Sequence, residues 1–194
     1  MAMKILPYLL FAAFLSVVYI VLFFIPNHVE SFALIPEKIS QGEFWRFGTY
    51  PFDHLDAGHL LKNLIGLLIM TAGIIALKTR FSDFSSIYLL AGFFAVLPLW
   101  FIMQFTALGA SVAIYSIFGM IALEVKKYEI KGWHVLAMLT AIIFLEAALT
   151  NSSVSFLSAM SHFSGVLFGV FAFMFAKAIH KTLNKKKIHC LRKI

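Results

Sequence analysis

The chain has 194 residues, of which 61% are hydrophobic and only 13% charged, with a formal charge of +7. A soluble domain is about half apolar and a quarter charged, so this balance excludes an ordinary soluble fold; apolar runs approaching the ~20 residues that a bilayer requires point to an all-α integral membrane protein. The single cysteine, Cys190, excludes an internal disulfide, and the basic residues sit beside helix ends, where they suit a lipid surface rather than a nucleic acid.

Residues 5–25 form the first expected span, closed by Pro26-Asn27; no small-residue cleavage site follows, so it reads as a retained helix rather than a signal peptide. Residues 27–58 are too apolar for a free loop and too charged for a span. They are expected to form a compact element at the interface, anchored by Trp45 and Tyr50 and tied down through Arg46. The second span is expected at 59–77 and the third at 84–105, kinked at Pro98. The fourth, 109–123, is short for a bilayer, so either its outer end starts below the surface, leaving a wet cavity, or the bilayer thins there. The fifth is 133–149 and the sixth 156–176; residues 1–180 thus read as one membrane domain, and 181–194 as a basic tail with Cys190 as a solvated thiol. Six spans return both termini to one side. That side holds all of the sixteen basic residues except Lys38, Arg46 and Lys62, so both termini are expected in the cytoplasm and the 27–58 element outside.

Polar groups inside spans are costly and mark function. Ser111, Tyr115 and Gly119 share one face of the fourth span, with Gly109 just before the serine. His59 and Asn63 lie one turn apart in the outer third of the second span, and His162, Gly165 and Gly169 share a face of the sixth. Small residues four apart let helices approach closely, so the fourth and sixth spans are expected to mate and bring Ser111 within reach of His162. A serine beside a histidine is the minimum for an activated nucleophile. His59, Asn63 and the Ser111 N–H could hold an oxyanion, and Tyr115 could stack on the imidazole. Structural readings stand beside these: a serine bonded back to its own helix, a packing histidine at 162, a capping role for His59 and Asn63. Glu146, an acid inside the fifth span, pairs with a loop group or stays protonated. No HExxH or comparable ligand set occurs, so no metal or other cofactor is expected.

Taken together, Trp45-Arg46, the run His59-Leu60-Leu61-Lys62-Asn63, Gly109-Ala110-Ser111 with Tyr115, and His162-Phe163-Ser164-Gly165 with Gly169 resemble, in order and spacing, the rhomboid family of intramembrane serine proteases. The resemblance covers nearly the whole chain as a minimal six-helix rhomboid-like bundle. It implies Ser111 as nucleophile and His162 as general base with no third acidic member, an oxyanion hole lined by His59 and Asn63, and a structural or water-binding role for His54. It implies transmembrane proteins as substrates, entering from the lipid past the second and fifth helices to an active site that opens to the outer side. Two departures stand out. Val112 follows the serine where the family has glycine, and its branched side chain is expected to crowd the oxyanion site or the approach of the sixth helix. Thr71-Ala72-Gly73-Ile74-Ile75-Ala76 replaces a glycine-rich helix end with a following glutamate. Val112 is also the residue that favours the alternative, a non-proteolytic rhomboid-like protein that binds membrane helices.

Overall fold

A computed structural model describes residues 5–150 and 152–191, without the side chains of Glu146, Thr150 and residues 184–191. The expectations placed on Glu146 and Cys190 fall outside the described residues. The architecture is helical, with one isolated antiparallel bridge, Leu34 to Ala107, among the described residues. In chain order come α1 (Leu6–Phe23), three short helices α2 (His28–Phe32), α3 (Pro36–Ser40) and α4 (Arg46–Thr49), α5 (Ala57–Ala76), α6 (Phe81–Phe94), α7 (Leu97–Met103), α8 (Ser111–Glu124), α9 (Gly132–Thr150) and α10 (Ser153–Leu191). Among the described residues, five stretches are long and apolar enough to cross a bilayer: Leu6–Phe23, Ala57–Ala76, Phe81–Met103, Gly132–Leu149 and Ser153–Leu183. The remaining long helix, α8, has 14 residues; at 1.5 Å per residue it measures roughly 21 Å against a hydrocarbon core of roughly 30 Å.

A helix that short would expose its ends to lipid if it stood at the rim. Instead α8 is the axis: nine of its fourteen residues are buried, and it touches α5, α6, α9 and α10. The outer helices keep large apolar side chains on the outside, as a lipid-facing surface demands; Leu6, Phe14, Leu68, Ile102, Leu145 and Phe171 are all exposed. The core proper lies between α1, α5, α6 and α8, around Leu15, Leu67, Ile74, Phe84, Ile117 and Met120.

Close approach of α8 and α10 rests on glycine. A Cβ on Gly169 would lie 1.8 Å from the Ser116 carbonyl oxygen, one on Gly165 2.4 Å from that of Val112, and one on Gly119 2.2 Å from that of Val166. Backbone therefore meets backbone along two turns, the arrangement that small residues four apart permit. At the Glu124 end of the bundle, the nearly buried Glu124 carboxylate takes Lys127 and, at 2.7 Å, Lys177 of α10, while His180 Nε2 lies 2.9 Å from Asp83 of α6.

The third span is interrupted in the turn before Pro98: the helix breaks at Ala95-Val96, and Pro98 lies in the first turn of α7, where its missing N–H costs no hydrogen bond. Two expectations need correction. The sixth helix starts at Ser153 and runs on through the basic residues to Leu191, longer at both ends than 156–176. Tyr50 is no interfacial anchor. It is 2% exposed, and its hydroxyl donates to the Gly92 carbonyl at 2.6 Å, pinning the loop to α6. Trp45, by contrast, is 55% exposed.

Candidate active site

The site is built at the Ser111 end, under the 24–56 segment. Arg46 organises that segment from within. It is 2% exposed, and its guanidinium donates to the carbonyls of Ala33 at 2.8 Å and Glu30 at 2.7 Å and to Glu43 Oε2. A planar fork with five donors can satisfy carbonyls that a segment of such short helices leaves unpaired. The segment is fastened to the chain before α8 by two bridge bonds between Leu34 and Ala107 and by the Gly109 N–H donating to the Tyr50 carbonyl at 2.9 Å.

Ser111 is the first residue of α8, so its N–H belongs to the first turn of amides that no helical carbonyl can accept. Its Oγ lies 3.0 Å from His162 Nε2. The Tyr115 ring, one turn on, stacks on the His162 ring with centroids 4.3 Å apart and planes 19° from parallel. Both Ser111 and His162 are half-buried, reachable but mostly withdrawn from solvent. The glycine contacts explain the register: Gly165 sits on the carbonyl of Val112, one residue past the serine and three past the histidine.

His59 rests beside Gly109, two residues before the serine. The Leu55 N–H donates to His59 Nδ1 at 3.3 Å, which leaves the proton of a neutral imidazole on Nε2 as a free donor. The ring rests against Gly109: a Cβ there would come within 2.7 Å of His59 Cε1. Gly109 has φ +104°, a conformation that side chains resist, so glycine is required twice over at this position. Asn63 is buried; its Nδ2 donates once, to the His59 carbonyl at 2.9 Å, which leaves one amide hydrogen for another acceptor. The cap of α5 is Asp56, whose Oδ1 accepts from the His59 N–H at 2.8 Å, so the backbone of His59, and neither its ring nor Asn63, makes the capping bond.

His54 is fully buried, packed on the rings of Tyr19 at 5.0 Å and His59 at 5.2 Å. Burial pushes its pKa down to about 3, with His59 and His28 acting in the same direction and the Phe52 carbonyl opposing them. It is therefore a neutral ring at ordinary pH. Val112 is buried with Leu34, Tyr50, Trp100 and Ala107, and both its Cγ1 and its carbonyl face Gly165, so the approach of α10 beside it depends on glycine at that position. The sequence reading passed over one pair: His28 Nδ1 lies 2.6 Å from Oδ1 of the fully buried Asp53. Residues 25 apart in an irregular segment carry no periodic signal that could have paired them.

Residues 41–179 match the family model for the Rhomboid domain. Among curated proteins, Rhomboid-type serine protease 2 of Neurospora crassa is 27% identical over 152 residues, which are 71% of this chain and 52% of that relative. The chain thus spans about half the length of the curated relative it matches.

Proposed function

This chain belongs to the rhomboid family of intramembrane serine proteases, and we propose that it cleaves transmembrane segments of membrane proteins with a Ser111–His162 dyad. The observation that carries this reading is the 3.0 Å contact between the Ser111 hydroxyl and His162 Nε2. In the proposed reaction, Ser111 Oγ attacks the scissile carbonyl while His162 Nε2 takes its proton. The acyl–enzyme forms as His162 passes that proton to the leaving amine, and water then repeats the sequence. Negative charge on the carbonyl oxygen is met by the Ser111 N–H, the His59 Nε2–H and the spare Asn63 amide hydrogen. Tyr115 holds the imidazole plane through both proton transfers.

The substrate enters sideways from lipid past α5 and α9 and unwinds near small or helix-breaking residues. Water reaches the dyad from the loop side, helped by the sunken start of α8. Both termini face the cytoplasm, and the site opens to the outer side. The presence of both Ser111 and His162 favours proteolysis over simple helix binding, which needs neither.

Purified protein in detergent should take up a fluorophosphonate probe, and Ser111→Ala and His162→Ala should abolish the labelling. Persistent labelling of Ser111→Ala, or none in folded wild type, overturns the dyad. Cleavage of a reconstituted transmembrane substrate, lost in the same two variants, then separates a protease from a helix-binding protein.

A further inference from the structure

Asp53 is an unusual place for a carboxylate. It is fully buried, it precedes a fully buried histidine, and its Oδ2 has no hydrogen-bond partner among the described residues. A carboxylate withdrawn from water costs several kcal/mol unless it is paired, and here the partner is His28 Nδ1 at 2.6 Å. His28 opens α2, held at its other side by the ring of Phe23 at 5.1 Å. The pair therefore ties the end of the irregular stretch 53–56 to the chain just after α1.

What hangs from that stretch is His59. The Leu55 N–H, two residues from Asp53, is the donor that fixes His59 Nδ1, and the His54 ring, one residue from Asp53, packs edge-on against the His59 ring at 67°. The position of the His54 ring follows from packing on Tyr19 and from the backbone beside it, the Phe52 carbonyl included. Residues 53–56 form neither helix nor strand. No backbone ladder sets where Leu55 and His54 stand, and the side-chain tie at Asp53 has to do so.

We propose that the His28–Asp53 pair is a positioning element for His59, holding its ring and its Nε2–H tautomer through Leu55 and His54. The inference rests on the reading of His59 as a donor to the oxyanion. Neither His28 nor Asp53 touches substrate; they act through another residue. Because the oxyanion exists only in the transition state, loss of the pair should lower kcat and leave KM in place.

The test is a mutant cycle on cleavage of a reconstituted transmembrane substrate. Asp53→Ala should lower kcat by about tenfold or more with KM within twofold, and Asp53→Asn, which keeps an oxygen to accept from His28, should recover most of the rate. In a His59→Ala background, Asp53→Ala should cost nothing further, since the residue through which it acts is gone. His28→Ala removes the same contact from the less buried side and should behave as Asp53→Ala does; it serves if Asp53→Ala does not fold. Equal fold-losses in both backgrounds, or an unchanged kcat in either single variant, overturn the positioning role. Full activity in His59→Ala removes the oxyanion reading of His59 and this inference with it, whereas loss in His59→Ala with equal losses across the cycle removes the inference alone.

Discussion

At the scale of single residues the proposed chemistry divides between one pair that moves protons and several groups that only hold position. Loss of one oxyanion donor typically costs ~10²-fold in kcat. His59→Ala is accordingly expected to reduce cleavage by about that factor at unchanged KM, measured on a reconstituted substrate. Gly109→Ala should do similar damage from the other side, because its Cβ would meet His59 Cε1 at 2.7 Å and its backbone sits at φ +104°. The check is a comparison with a control substitution such as Gly42→Ala, also at positive φ but in open space, which should be active. His54 gives a pH prediction with a definite sign. Its pKa falls from 6.5 to about 3 on folding. Between those values the unfolded chain binds a proton that the folded chain refuses, so stability is lost as pH falls below 6.5. The slope approaches ~1.4 kcal/mol per pH unit at most. Thermal midpoints recorded across that range should drop on acidification, and His54→Phe, which cannot titrate, should flatten the drop.

The helices were legible because bilayer spans announce themselves by length, and the small-residue spacing of Gly165, Gly169 and Gly119 already implied that α8 and α10 would meet. What the sequence could not convey was the interior of the 24–56 segment. Its order depends on Arg46 reaching carbonyls of residues 13 and 16 positions away, and on Tyr50 reaching α6. Such bonds leave no period to read, so neither the inward place of Tyr50 nor the His28–Asp53 pair is legible in the sequence. Arg46→Ala should cost about 1–3 kcal/mol, because it leaves the buried Ala33 carbonyl without its partner and frees Glu43 and the Glu30 carbonyl to water, and a fall in the denaturation midpoint would measure it. At the helix pair, Gly169→Ala should be more damaging than its single methyl suggests. The added carbon meets a carbonyl oxygen at 1.8 Å, so the helices have to part, at about 3 kcal/mol or more. Parting them lengthens the Ser111–His162 contact, and fluorophosphonate labelling should fall along with stability.

At the scale of the whole molecule, the charge asymmetry supports the proposed orientation, which vesicles can test. The native Cys190 should react with a membrane-impermeant maleimide only in inverted vesicles, while Gln41→Cys in a Cys190→Ser background should react only in right-side-out ones; the reverse pattern would invert the proposed topology. The axial place of α8 also has a practical consequence. Where carbonyls of Val112, Ser116 and Val166 press directly on glycines, no side chain is available to absorb a change, so this seam tolerates no graded adjustment. An engineer who wants new substrate preferences should leave the central seam alone and diversify the rim, where α5 and α9 present interchangeable apolar surface to the lipid.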